Sequence, residues 1–167
     1  VELYGKVLGI IGLGRIGSTV AGFGKAFGMR VIAFDPFLSK EVFEQKGVQM
    51  VTVEQLVKDA DYITVHIPKT SETTDLISDK EFALMKPTTR VINCARGGII
   101  NETALIKALQ EKKIAGCALD VYEQEPPDFS SPLFKFDNCV VTPHLGASTS
   151  EAQINVAVEI AETIRDA

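Results

Sequence analysis

Cysteine and histidine are scarce in this chain, with three and two residues in 167. Cys94, Cys117 and Cys139 are widely spaced and form no C-x-x-C pair, so they support neither a disulfide framework nor a zinc site. Positive charge is also short: 17 Lys and Arg stand against 22 Asp and Glu, for a net charge of −5. That balance argues against nucleic acid or an anionic membrane as a partner, because either calls for a basic patch. No apolar run approaches the roughly 20 residues of a membrane span, and no basic-then-apolar secretory leader opens the chain. Repeats and low-complexity tracts are lacking too. The expectation from these absences is a protein of the reducing cytoplasm.

What is present fits one domain with a substantial core, since 46% of residues are apolar and 23% charged. Apolar runs rich in branched residues predict strands at Val7–Ile11, Arg30–Phe34, Tyr62–Val65, Val91–Asn93, Ile114–Leu119 and Val140–Thr142. Between them, helical spacing joins Ile16, Val20, Phe23 and Phe27, closing at Gly28. Ser39 is placed to cap a helix running to Lys46, with Gly47 as its stop. Further helices are predicted at Val53–Asp59, at Asp79–Met85 behind Ser78, and at Glu102–Lys112 behind Asn101. The alternation predicts an α/β fold of Rossmann type, a doubly wound parallel sheet with helices on both faces. A long irregular stretch, Tyr122 to Asn138, carries Pro126, Pro127 and Pro132, and loops of that length are often functional. The final helix, Glu151 to Arg165, has an apolar face of Ile154, Val158, Ala161 and Ile164, suited to cover the sheet or to lead toward another domain.

Gly12-Leu13-Gly14-Arg15-Ile16-Gly17 fits G-x-G-x-x-G between the first strand and the first helix. Gly12 permits the tight turn, Gly14 lets a pyrophosphate approach the backbone, and Gly17 lets helix and strand pack closely. N–H groups at the helix start then face the phosphates, aided by the helix dipole. Glycine-rich turns also arise for packing alone, but here strand, helix and a following acidic residue agree. Asp35 ends the second strand, where a carboxylate accepts hydrogen bonds from the adenosine ribose; a turn residue before Pro36 is the plainer alternative. The same charge disfavours the 2′-phosphate of NADP, and no arginine lies between Pro36 and Lys46 to offset it. NAD is the expected coenzyme.

Three later stretches carry chemistry that the fold alone does not name. Arg96 follows a strand in Asn93-Cys94-Ala95-Arg96-Gly97-Gly98, where its planar fork suits a carboxylate. Glu125 lies in Glu123-Gln124-Glu125-Pro126-Pro127, and His144 follows the last strand in Pro143-His144-Leu145-Gly146. All three fall on the sheet edge of the glycine turn. Hydride transfer to a carbonyl needs a proton donor, which histidine supplies, and a neighbouring carboxylate holds the ring. Taken singly, such an arginine is more often a surface cation, a Glu-Pro-Pro more often a solvated turn, and a lone histidine such as His144 more often a non-catalytic side chain than not. His66 reads as a packed residue beside the coenzyme, and Cys94 as a small buried side chain rather than a nucleophile.

Nearly the whole chain resembles the coenzyme domain of the D-isomer-specific 2-hydroxyacid dehydrogenases. The resemblance rests on Leu8 to Gly17, on Ala60 to Pro68, on Met85 to Asn101, and on His144 to Gln153. It implies that Arg96 binds the substrate carboxylate and carbonyl oxygen, that His144 is the general acid/base, and that Glu125 pairs with it. It implies a coenzyme site of Gly12, Gly14, Arg15, Ile16, Gly17 and Asp35, walled by Ile67, Pro68, Cys94, Ala95 and Arg96. Asp120, His144 and Gly146 complete it, with Asp120 at the nicotinamide end. The His144-Leu145-Gly146-Ala147-Ser148-Thr149 segment is most similar to the members that oxidise 3-phosphoglycerate in serine biosynthesis. Lactate- and glycerate-type dehydrogenases and NAD-sensing corepressors of the same family are the alternatives. The family inserts this domain, here residues 1–167, into a substrate domain built from flanking segments that this sequence does not contain. A homo-oligomer is expected of the full-length protein, and the contacts to a substrate phosphate are expected mainly in those segments.

Overall fold

Strand and helix alternate as the apolar pattern requires. The computed structural model describes residues 1–166. In chain order these hold β1 (Val7–Ile11), α1 (Arg15–Ala26), β2 (Arg30–Phe34), α2 (Lys40–Gln45), β3 (Gln49–Met50), α3 (Val53–Asp59) and β4 (Tyr62–Val65). Then come α4 (Asp79–Leu84), β5 (Arg90–Asn93), α5 (Glu102–Gln110), β6 (Gly116–Leu119), a 3-10 turn (Pro132–Lys135), β7 (Cys139–Val141) and α6 (Ser150–Arg165). The strands form one parallel sheet in the order β3-β2-β1-β4-β5-β6-β7, which is the Rossmann order with its reversal between β1 and β4. β3, a two-residue edge strand with both residues exposed, has no sequence counterpart because it buries nothing.

Successive strand residues face opposite sides, and the core divides accordingly. Leu8 and Ile10 of β1 with Val31 and Ala33 of β2 pack toward α1 and α2, while Ile11 and Ile32 join the larger cluster under α3, α4 and α5. Each fully buried Ile or Leu contributes about 1.5–3 kcal/mol. Thr52, Asn101 and Thr149 cap α3, α5 and α6 through their side chains, and Ser78 with Glu81 forms a capping box on α4. Ser39 occupies the cap position of α2 but makes no capping hydrogen bond.

Two helices turn their apolar spacing away from the sheet, α1 against expectation and α6 in keeping with only the second of its two alternatives. The apolar stripe of α1 is turned outward, with Ile16, Phe23 and Phe27 more than half exposed. Gly17, Ala21 and Gly24 face the sheet instead. The reason is steric: a Cβ on Gly24 would stand 2.6 Å from Leu8 Cδ2, so only a face of small residues lets α1 approach. α6 buries none of its residues and therefore does not cover the sheet, which leaves Val140 of β7 65% exposed.

Candidate active site

Every expected site residue follows the carboxyl end of a strand, so all lie on one edge of the sheet. The β1–α1 turn is built by what its glycines exclude. Gly12 has φ +96°, and a Cβ there would meet the His66 carbonyl; one on Gly17 would meet the carbonyl of Gly12. Around Gly14 the space is open. Gly14 is the N-cap of α1 and no side chain caps it, so the first-turn N–H groups of Arg15, Ile16 and Gly17 are available to an anion. An open cradle edged by free donors fits a pyrophosphate.

Asp35 is buried and supports this turn directly. Its Oδ2 accepts from the Leu13 N–H at 2.8 Å and its Oδ1 from the Phe37 N–H at 2.9 Å. A carboxylate offers about four acceptor sites, so two remain for ribose hydroxyls.

At the β1/β4 switch point a cleft of about 430 Å³ is lined by Ile16, His66, Ile67, Pro68, Lys69, Cys94, Ala95 and Arg96. His66 Nε2 lies 2.9 Å from Thr64 Oγ1, and burial pushes its pKa down, favouring the neutral ring. Cys94, expected to be buried, is exposed to this cleft, because it sits one residue past β5 where the chain leaves the sheet. Its thiol is nevertheless held up in pKa, by burial first and then by the Asp120 carboxylate, so it is no activated nucleophile. The Arg96 turn is fixed by buried Asn93, whose Nδ2 donates to the Arg96 carbonyl and whose Oδ1 accepts from the Ala95 N–H, both at 3.0 Å. Arg96 itself is exposed, with Nη1 donating to the Ala95 carbonyl at 2.6 Å.

His144 and Glu125 meet. The ring Nδ1 lies 2.6 Å from Glu125 Oε2, and Glu125 Oε1 accepts from the Tyr122 N–H at 3.1 Å. The hydrogen bond from His144, followed by that from Tyr122, holds the Glu125 carboxyl below its usual pKa. With Nδ1 engaged, Nε2 is the nitrogen left for a ligand. The Arg96 turn touches the same loop, since a Cβ on Gly97 would run into the Tyr122 carbonyl.

Asp120 does more than the sequence suggested. Its Oδ1 accepts from Thr142 Oγ1 at 2.5 Å and from the Leu145 N–H at 2.7 Å, and its Oδ2 from the Gly146 N–H at 2.9 Å. Burial pulls this carboxyl up in pKa, but the bonds from Thr142, Leu145 and Gly146 outweigh it and leave the group below its usual value. The Gly146 N–H is thus engaged within the protein. Thr142 and the Tyr122 hydroxyl, which donates to the Thr142 carbonyl at 2.8 Å, were not singled out by sequence. Nothing in their local pattern marks them.

A nucleotide cradle, an arginine turn and a carboxylate-held histidine stand together on one Rossmann edge. Residues 1–146 match the family model described as D-isomer specific 2-hydroxyacid dehydrogenase, NAD binding domain, and the chain belongs to that family. Among curated relatives it is 56% identical to a D-3-phosphoglycerate dehydrogenase of Synechocystis sp. over 99% of this chain and 30% of the relative. It is 53% identical to a D-3-phosphoglycerate dehydrogenase of Archaeoglobus fulgidus over 98% of this chain and 31% of the relative. The chain therefore spans about a third of the length of these relatives. Among solved structures, a D-lactate dehydrogenase from Aquifex aeolicus complexed with NAD and lactic acid superposes with a TM-score of 0.89. That pair is 33% identical, over 99% of this chain and 54% of the other.

Proposed function

We propose that the protein is an NAD-dependent D-3-phosphoglycerate dehydrogenase, converting 3-phosphoglycerate to 3-phosphohydroxypyruvate for L-serine biosynthesis. The observation that carries the reading is the 2.6 Å His144–Glu125 pair on the sheet edge that also holds the glycine turn and Arg96. The choice of substrate is supported by the relatives named D-3-phosphoglycerate dehydrogenase at 53–56% identity.

Bound NAD supplies the hydride acceptor. Gly12, Gly14 and the N–H groups of Arg15, Ile16 and Gly17 hold its phosphates, and the free acceptor sites of Asp35 hold a ribose. Ile67, Pro68, Cys94 and Ala95 wall the cleft, and Asp120 has one acceptor site left for the nicotinamide end beside the His144–Gly146 turn. Arg96 binds the substrate carboxylate, in charge-assisted bonds of the forked kind. His144 takes the C2 hydroxyl proton at Nε2 during oxidation and returns it during reduction, with Glu125 fixing the ring. Residues 1–167 act as the coenzyme domain beside a substrate domain supplied by other segments of a longer chain. The full-length protein works in the cytoplasm, and as a homo-oligomer, for which the exposed Phe23 and Phe27 of α1 offer an apolar face.

The test is to assay the full-length protein with NAD against a panel of D-2-hydroxyacids. The expected result is a kcat/KM for 3-phosphoglycerate at least tenfold above those for glycerate and lactate. Preference for either unphosphorylated acid would overturn the assignment.

A further inference from the structure

We infer that Lys69 is a specificity-determining residue that binds the substrate's phosphoryl group, so that the cleft carries one cation for each anion of the substrate. This rests on the proposed reaction, in which the substrate bears both a carboxylate and a phosphate. Lys69 and Arg96 line the same cleft, and no carboxylate lines it with them. His66, the other ionisable base there, is pushed toward neutrality by burial. Lys69 is exposed and takes part in no ion pair among the described residues. Its charge is therefore uncommitted.

Its side chain lies against the Arg96 turn. Gly98 has φ +79°, and an ideal Cβ at Gly98 would stand 2.5 Å from Lys69 Nζ and 2.9 Å from Cε. The ammonium group thus lies directly over Gly98. That glycine closes the Arg96-Gly97-Gly98 turn, so both cations belong to one wall of the cleft. An ammonium on a four-carbon stem acts as a mobile point charge suited to a phosphate, while the planar guanidinium suits a carboxylate. The coenzyme's pyrophosphate has its own donors in the uncapped first turn of α1, which leaves Lys69 for the substrate. One phosphate contact is then expected inside this domain rather than in the flanking segments.

The experiment compares full-length wild type, Lys69→Met and Lys69→Arg, using 3-phosphohydroxypyruvate and unphosphorylated hydroxypyruvate with NADH. The readout is the ratio of the two kcat/KM values, together with NADH affinity by fluorescence titration. Lys69→Met is expected to lower the ratio at least tenfold, chiefly through KM for the phosphorylated acid, and Lys69→Arg to restore most of it. A merely structural role would reduce both substrates alike and leave the ratio where it was, overturning the inference. A loss traced to weaker NADH binding would give the cation to the coenzyme phosphates and overturn it equally. Wild type without preference for the phosphorylated acid would defeat the substrate assignment itself. Preference in wild type that persists in Lys69→Met would defeat only the role of Lys69.

Discussion

Asp35 links coenzyme choice to the shape of the glycine turn, and replacing it separates the two. In NADP the ribose carries a phosphate near the carboxylate. At an effective dielectric near 20, each added negative charge at about 4 Å costs about 4 kcal/mol before relaxation. If relaxation removed two-thirds of that, about 1.4 kcal/mol would remain, a factor of ten in affinity. Wild type is therefore expected to bind NAD at least tenfold more tightly than NADP. Asp35→Ala removes this repulsion, but it also removes the acceptors of the Leu13 and Phe37 N–H groups at 2.8 and 2.9 Å. Hydrogen bonds to a charged group contribute about 1.5–3 kcal/mol each, and Leu13 is fully buried, so water does not replace its partner. A loss of about 3 kcal/mol corresponds to a fall in Tm of roughly 6–12 °C for a domain of this size. Asp35→Ala should thus lose selectivity and lose NAD affinity together. Asp35→Asn keeps one acceptor oxygen and should lose selectivity with a smaller fall in Tm. Calorimetric titration of each variant with both coenzymes, alongside thermal unfolding, reads the outcome. Equal affinities in wild type would refute the charge argument, and an unchanged Tm in Asp35→Ala would refute the structural one.

If the proposed reaction holds, Glu125→Gln in the full-length protein should lower kcat by about tenfold or more, a share of the 10²–10⁴ that general acid–base catalysis supplies, with NADH affinity retained; unaltered kcat would remove Glu125 from the mechanism. Asp120 has a lowered folded-state pKa, so its contribution to stability is present above the ordinary Asp range near 4 and is lost as pH falls through the folded value. The Tm gap between wild type and Asp120→Asn should accordingly be full at pH 7 and close below about pH 4, and a gap that widens in acid would contradict this. The 167-residue chain alone should bind NADH yet show no turnover of 3-phosphohydroxypyruvate. Arg96 and His144 are both exposed, and orienting substrate against coenzyme supplies about 7–11 kcal/mol of barrier that an open cleft does not provide. Turnover approaching about 10 per second would show that no further wall is needed.

The strands were legible because branched apolar runs ending at glycine or Asp-Pro have few other readings, and six of seven lie where that pattern puts them, within a residue or two at their ends. Helix caps at Asn101 and Ser78 were legible for the same local reason. The docking face of α1 was not. Hydrophobic spacing marks Ile16, Phe23 and Phe27, whereas the close approach to β1 selects Gly17, Ala21 and Gly24, a steric property of the pair of elements rather than of the helix. Motifs brought Arg96, Glu125 and His144 to notice, and the structure joins two of them directly. The bonds from Asp120 to Thr142, Leu145 and Gly146 join residues 22 to 26 positions apart. No local period encodes such a contact, so they emerge only once β6 and β7 are paired.

That network explains how His144 can sit in an unfavourable backbone conformation. His144 has φ +56° and Ala147 φ +60°, left-handed values that cost of order 1–3 kcal/mol each in a residue other than glycine. Between them lie Leu145 and Gly146, whose N–H groups both donate to Asp120. Two bonds to a carboxylate at about 1.5–3 kcal/mol each offset the cost of the two residues that flank them. Asp120 in turn donates its own N–H to the Asn93 carbonyl at 3.0 Å, and Asn93 sets the Arg96 turn. Buried Asn93 and Asp120, 2% and 6% exposed, therefore fix the arginine and the histidine relative to one another through the ends of β5, β6 and β7. The turns that carry Arg96 and His144 are thus anchored to buried residues at strand ends, and the cost of holding them is met during folding.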